Sequence, residues 1–482
     1  MAEDVVTTPE AEETEESRDP YDRLVVRAGL ADYSPVRGCM VIREYGYAVW
    51  ELIQNWIDGE LKATGHKNAY FPIFIPLSFI AKEAEHVEGF APQLAVVTHG
   101  GGEELTEPLV VRPTSETIIY DMYRKWIQSY RDLPLLLNQW ANVVRWEIRT
   151  RPFLRTMEFL WQEGHTAHAS AAEADAEARL ILDLYIRFIE GELAIPVMSG
   201  RKSESEKFAG ADITYTMEAM MQDGKALQMG TSHNLGQNFG RAFDVWFLDR
   251  DGERKNPWST SWAVTTRLIG AIVLVHGDAK GLILPPRIAP IQAVIVPIWR
   301  DDEQRAAVET YVAGIAADLA AGGIRVEIDD RDTVRPGFKF NEWELKGVPL
   351  RLEVGPRDVE AGQAVAARRD TGTKESTPRS ELVARSGALL EEIQQQLYAR
   401  ALTFLHENTH EAGSLEDLAR GLEEQRGFYR VNWCEGQGCE RAFAREKATV
   451  RVIPFGEESE PNGPCIVCGE PARARVVVAR SY

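Results

Sequence analysis

Cysteine is scarce and unevenly placed in this 482-residue chain: five in all, with none between Met40 and Trp433. That gap excludes a disulfide framework through the body of the protein, and a cysteine-ligated metal centre within it. Long apolar runs are missing too. The longest, near Leu268 to Val275, is too short for a bilayer and meets His276, Gly277 and Asp278. No basic, apolar leader opens the chain, so a cytoplasmic location is expected. Internal repeats and sustained heptads are absent as well. Basic residues are outnumbered, 54 Lys and Arg against 74 Asp and Glu, for a net charge of −20. The first nineteen residues hold eight acids, one base and no aromatic, −7 of that total, which leaves −13 for the rest. Residues 1–18 are therefore expected to be a solvated, disordered acidic tail. Such a balance disfavours sequence-blind nucleic-acid binding. It leaves room for a local contact, because residues 331–379 carry ten Lys and Arg against eight Asp and Glu.

What is present starts from ordinary material: 44% hydrophobic and 27% charged residues, with length for about three domains. The informative part is Arg145-Trp-Glu147 followed by Arg155-Thr-Met-Glu-Phe159. Val143 to Ile148 reads as a strand, which would send Arg145 and Glu147 from one face. A loop over Arg149 to Arg155 and an antiparallel return through Phe159, Leu160 and Trp161 are expected. The resulting ribbon suits a bent nucleotide, with Arg145 on the α-phosphate, Glu147 on the adenine amino edge and Phe159 stacked on the base. Surface ion pairs along a charged hairpin are the plainer reading.

These residues resemble motif 2 of the class II aminoacyl-tRNA synthetases. The neighbouring words Arg112-Pro-Thr-Ser-Glu-Thr117, Asn138-Gln-Trp-Ala-Asn-Val-Val-Arg-Trp-Glu147 and Phe159-Leu-Trp-Gln-Glu-Gly-His165 are similar to prolyl-tRNA synthetases of the archaeal/eukaryotic-like type. The resemblance runs from about Asp19 to Tyr482. It implies an α+β protein in three parts: an antiparallel-sheet catalytic domain (19–283), an α/β anticodon-binding domain (284–400) and a small zinc-bound α+β domain (401–482). It also implies a homodimer, with the amphipathic helix Glu44 to Lys62 (Tyr47, Trp50, Ile53, Ile57 and Leu61 on one face) and an extended Ala69 to Ile75 forming motif 1. A core helix and a proline-bearing edge strand would read the same way.

The implied chemistry is activation of L-proline by ATP with Mg²⁺, then transfer to the 3′ end of tRNA(Pro). For ATP the resemblance points to Arg145, Glu147, Arg155, Phe159, Gln228, Thr231, Thr265 and Arg267, with Arg145 on the α-phosphate and Arg267 on the γ-phosphate as the catalytic pair. For proline it points to Thr114, Glu116, Trp161, Glu163, His165 and His233. Thr-Ser-Glu at 114–116 also reads as a helix N-cap with a capping acid. The glycine-rich lead-in to motif 3 is replaced by Ser259-Thr-Ser-Trp-Ala-Val-Thr-Thr, a departure that the prolyl subgroup shares. Only 104 positions separate Glu163 from Arg267, too few for the editing insertion of bacterial-type relatives. A pocket for proline is small enough to admit cysteine or alanine.

In the second half, Gly281 to Pro290 reads as a linker and the strand–helix–strand alternation after Ile291 as a largely parallel α/β sheet. Glu344, Arg351, Arg357, Asp358 and Lys374 are the candidates for reading anticodon guanines; ordinary surface solvation is the alternative for each. Cys434-x₄-Cys439 and Cys465-x₂-Cys468 have the spacing of one structural tetrahedral Zn²⁺, with disulfides as the rival. Cys39 reads as a lone structural thiol. The closing Tyr482 resembles family members whose last residue folds back toward the active site.

Overall fold

A computed structural model of the chain describes residues 19–81 and 94–482; the acidic tail expected over 1–18 lies outside the described residues. Seven strands form the sheet expected for the catalytic domain: Lys67–Asn68 (β1), Leu135–Val144 (β2), Glu158–His168 (β3), Met198–Arg201 (β4), Ile213–Met220 (β5), Ala226–Gly236 (β6) and Trp258–Thr265 (β7). They run in the order β4-β5-β6-β7-β3-β2-β1, every pair antiparallel except β2 with β1. Helix Ala171–Gly191 starts at a capping box of Ser170 and Glu173. It lays Ile181, Leu182, Tyr185 and Phe188 into the core beside Met217 and Trp262. With one sheet face sealed by this helix, functional side chains can occupy the other. Burying each such large apolar side chain contributes about 1.5–3 kcal/mol.

Helix Glu44–Ala63 buries Trp50, Ile53, Ile57 and Leu61, but Tyr47 is exposed. Gly46 lies against the Leu30 backbone, where a Cβ would come within 2.1 Å of the carbonyl oxygen. That close approach rotates the buried stripe toward Gly46 and Val49 and turns Tyr47 outward. Only Phe74–Pro76 of the extended motif 1 segment joins a strand.

The second unit has the strand order Val326–Ile328, Ala293–Pro297, Leu350–Val354, Gln363–Arg368, Lys374–Pro378. The first three are parallel, as expected. The last two form an antiparallel hairpin, so the sheet is mixed. The turn joining them carries Gly372 at φ 72°. Residues 281–290 are no solvated linker: Leu282, Ile283, Leu284 and Ile288 are buried. Leu282 and Leu284 donate backbone bonds to the Leu345 and Gly347 carbonyls.

Four further strands lie in the C-terminal segment: Thr409–Glu411 (β8), Phe428–Trp433 (β9), Thr449–Pro454 (β10) and Ala474–Ala479 (β11). β10 pairs antiparallel with β4, giving one eleven-stranded sheet in which β8-β9-β11-β10 continues the catalytic order. Gly200 makes the junction possible, since a Cβ there would fall 2.1 Å from the Ile453 carbonyl oxygen. The C-terminal segment is thus joined to the catalytic sheet by backbone pairing, and helix Arg379–Glu407 runs unbroken through residue 400. Among the described residues no helix is long and apolar enough to cross a membrane.

Candidate active site

β2 and β3 form the expected hairpin, in register from Leu135 opposite Ala167 to Val144 opposite Glu158. The strand reading of Val143 to Ile148 needs correction: β2 stops at Val144. Arg145 N still donates to Met157 O at 2.8 Å, after which a tight tip is closed by a bridge between Arg151 and Arg155. Pro152 brings no N–H to a ladder and Phe153 adopts φ 59°, so strand alternation does not orient Arg145 and Glu147. Both nevertheless reach one cavity.

That cavity has a volume of about 400 Å³. Its walls include Thr114, Glu116, Arg145, Glu147, Arg155, Phe159, Trp161, Glu163, His165, Gln228, Thr231, His233, Thr265 and Arg267, which is every residue named above for ATP and proline. They come from the 114–116 segment, the hairpin, β6, the end of β7 and the start of the helix that follows it. Sequence reading missed Glu206, Phe208, Thr214, Ser261 and Trp262, which also line it. Phe208 sits in a loop without periodicity; its ring lies 4.7 Å from that of His233, centroid to centroid, and its N donates to Thr214 Oγ1 at 2.9 Å.

At the cationic end, the Arg145 guanidinium lies 5.5 Å from the Phe159 ring centroid and 5.7 Å from that of Trp161, while its Nε donates to Pro113 O at 3.0 Å. Burial holds Arg145 down to about 10, with Glu116 opposing and Arg267 adding to the effect. It remains cationic at neutral pH. Arg267 opens helix Arg267–His276, and its guanidinium donates to Leu154 O and Gln228 O, each at 3.3 Å. Arg145 and Arg267 therefore face the same space. Glu147 accepts from Arg155 Nε at 2.6 Å and from Arg149 N at 3.0 Å.

At the other end, Thr114 donates to Glu116, the first residue of helix Glu116–Trp126. Ser115 stands at the N-cap position without capping and donates instead to Glu163. Gln139 Nε2 donates to the same Glu163 oxygen at 2.6 Å, and His165 Nε2 lies 2.9 Å from the other. Both oxygens of this buried carboxylate are occupied, so Glu163 does not present a free charge to the cavity. Burial opposes ionisation of both partners. Their mutual contact outweighs it, lowering Glu163 and raising His165 from their ordinary values. His233 sits between Thr214 Oγ1 (2.9 Å) and Thr231 Oγ1 (3.0 Å), and burial, with His165 nearby, pushes its pKa down to about 3. It is a neutral polar wall. One end of the cavity can thus meet a polyanion, and the other can fix a small cationic amine beside aromatic rings.

Among the anticodon candidates, Glu344, Arg351 and Lys374 line one surface cavity of about 210 Å³ together with Lys280 and Arg369. Arg351 and Lys374 both bind Glu353, at 2.9 and 2.7 Å. Arg357 and Asp358 do not line it. Asp358 caps its own helix by accepting from Gly355 N at 2.9 Å. Tyr482 docks on the catalytic unit, its hydroxyl donating to Asp223 at 2.9 Å and its ring 5.4 Å from the Arg151 guanidinium, outside the lining of the main cavity.

The Sγ atoms of Cys434, Cys439, Cys465 and Cys468 all lie within 4.8 Å of one another, with Cys434 at 3.6 Å from Cys439 and 3.7 Å from Cys468. A tetrahedral zinc with Zn–S bonds of about 2.3 Å needs sulfurs about 3.8 Å apart. The cluster fits that ion, while every pair is too far apart for a disulfide.

Three family models match in succession: tRNA synthetase class II core domain (G, H, P, S and T) over residues 98–276, anticodon binding domain over 292–386, and prolyl-tRNA synthetase C-terminal over 415–482. The chain is 57% identical over 471 residues to a proline–tRNA ligase of Chlorobaculum tepidum, covering 96% of this chain and 97% of that one. It is 54% identical over 465 residues to a proline–tRNA ligase of Natranaerobius thermophilus, covering 96% and 95%. A chloroplastic/mitochondrial proline–tRNA ligase of Arabidopsis thaliana matches at 53% over 469 residues, covering 96% and 86%. With hairpin, cavity, second unit and cysteine cluster in one continuous match, the chain belongs to the prolyl-tRNA synthetase family.

Proposed function

We infer that this chain is a proline–tRNA ligase, an enzyme that activates L-proline with ATP and passes it to the 3′ end of tRNA(Pro). The observation that carries the reading is the convergence of Arg145 and Arg267 on one cavity whose other end holds Thr114, Glu116 and His165. In the first step a proline carboxylate oxygen attacks the α-phosphorus and pyrophosphate leaves. Arg145 stabilises charge at the α-phosphate and Arg267 holds the γ-phosphate, with Arg155 assisting once nucleotide draws Glu147 to the adenine edge. Mg²⁺ carried by ATP adds charge neutralisation. Thr114 and Glu116 accept the two imino N–H donors, and Trp161 and His233 enclose the ring. In the second step a ribose hydroxyl of the tRNA end attacks the acyl carbon and AMP leaves.

The cysteine cluster holds one structural Zn²⁺. Four thiolates fill its shell, so the ion supplies cohesion and no activated water. Residues 19–283, 284–400 and 401–482 serve as catalytic, anticodon-binding and zinc-bound domains, with Glu344, Arg351 and Lys374 better placed for base contacts than Asp358. The enzyme works as a cytoplasmic homodimer. Proline-dependent ATP–pyrophosphate exchange with purified protein, ranked against cysteine and alanine, tests the activity. Strong tRNA binding without measurable ATP affinity would instead indicate a non-catalytic paralogue.

A further inference from the structure

Close to Arg267 lies a buried ion cluster assembled from distant parts of the chain. Glu218 on β5 is fully buried and accepts from Lys202 Nζ at 2.7 Å. It also accepts from Arg451 of β10, Nη2 at 2.9 and 3.1 Å and Nε at 3.2 Å, and from Thr216 Oγ1 at 3.2 Å. The Lys202 and Arg451 side chains are themselves only 2% and 10% exposed. Two cations share one carboxylate, so the cluster retains a surplus positive charge. Arg267 stands in the same field. After burial, attraction by Glu218 and repulsion by Arg451 are the chief influences on it. The β5–β6 register sets Glu218 opposite Gln228, whose carbonyl accepts from Arg267. Arg267 nevertheless forms no ion pair with any carboxylate among the described residues; its guanidinium donates to two backbone carbonyls.

We propose that Lys202 and Arg451 are positioning residues: by saturating Glu218 they leave Arg267 its full charge for the polyphosphate of ATP. This rests on the reading of the cavity as an ATP and proline site. A buried carboxylate that loses a cation is strongly driven to recruit another. Without Arg451, Glu218 keeps Lys202 but loses its bidentate partner. The other cation in its field, Arg267, is bonded to the carbonyl of the facing Gln228 and would turn from the cavity toward it. The C-terminal segment, through one arginine on β10, thereby becomes part of the nucleotide step and not only a cap on the sheet.

The test uses the full-length enzyme in proline-dependent ATP–pyrophosphate exchange, with KM measured separately for each substrate. A wild-type protein inactive with proline refutes the underlying reading and this inference with it. With an active wild type, Arg451→Ala should raise the ATP KM about tenfold or more and leave the proline KM within about twofold. Arg451→Lys should restore most of the loss. The discriminating variant is Glu218→Gln/Arg451→Gln, which removes the competing charge and should return the ATP KM to within about threefold of wild type. General structural damage would move both KM values and would not be reversed by a second substitution. An unchanged ATP KM in Arg451→Ala, or a double variant as impaired as the single one, overturns the proposal. Should Arg451→Ala fail to fold, the double variant decides alone, and a tenfold rise in its ATP KM is then the refuting result.

Discussion

Gly164 lies between Glu163 and His165 on β3, directly opposite Trp262 on β7. A Cβ at this position would fall 2.0–2.2 Å from three carbons of the Trp262 ring. Carbon atoms pack at about 3.5–4.0 Å, so Gly164→Ala requires the indole to retreat by about 1.5 Å. It has little room to do so. The ring meets His66 at 5.2 Å and Tyr185 at 6.4 Å, both edge-on, and its Nε1 donates to Thr260 at 3.2 Å. Overpacking of this kind costs about 1–3 kcal/mol. Losing the indole hydrogen bond adds about 1 kcal/mol, for a total of about 2–4 kcal/mol. The ring packs on the helix-covered face, while Glu163 and His165 on either side of Gly164 line the cavity. A shift of β3 that relieves the clash should therefore lower the urea midpoint of the catalytic unit and raise the proline KM more than the ATP KM. Urea unfolding followed by tryptophan fluorescence, with steady-state exchange kinetics, reads both. A variant with wild-type midpoint and wild-type proline KM would refute the packing argument.

Three further outcomes are expected. Metal analysis of the purified protein should find one zinc per chain, with Cys465→Ser lowering both the zinc content and the thermal midpoint; full stability without metal would contradict the four-thiolate assignment. The Glu163–His165 pair gives a pH dependence of defined sign. His165 is raised from 6.5, so its contribution to stability is complete below 6.5 and is lost as pH climbs through the folded value. Glu163 is lowered from 4.5, so its contribution is present above 4.5 and is lost as pH falls through the folded value. His165→Asn should therefore flatten the alkaline limb of stability against pH, and an unaltered limb in thermal melts would show that the pair does not govern it. Glu147→Gln should raise the ATP KM about tenfold with little effect on proline, since a charge-assisted bond to the base is worth about 1.5 kcal/mol; equal changes in both KM values would argue against an adenine contact.

The parts of the site that could be read from sequence were those built by neighbours in the chain. Arg145, Glu147, Arg155 and Phe159 belong to one hairpin, and Trp161, Glu163 and His165 alternate along a single strand. The end of β2 was misread because its apolar pattern continues to Ile148, while Pro152 and the strained Phe153 dictate the turn. Tyr47 was misplaced because an amphipathic stripe gives the period of a helix and not its exact phase, which the Gly46–Leu30 contact sets here. Register was not legible at all. The pairing of Gly164 with Trp262 joins residues 98 positions apart, and Glu218 meets Arg451 across 233 positions. The fusion of the C-terminal strands with the catalytic sheet depends likewise on Gly200 opposite Pro454, beside the Ile453 carbonyl, a glycine that looks unremarkable in sequence.

Amino-acid-dependent ATP–pyrophosphate exchange by wild-type protein and by Arg145→Ala is the measurement closest to the chemistry proposed for the cavity. Proline should drive exchange far better than cysteine or alanine, and replacing the guanidinium beside Phe159 and Trp161 should reduce turnover at least about a hundredfold, the cost of losing one fixed oxyanion stabiliser. Near-normal exchange in that variant, or a preference for an amino acid other than proline, would contradict it.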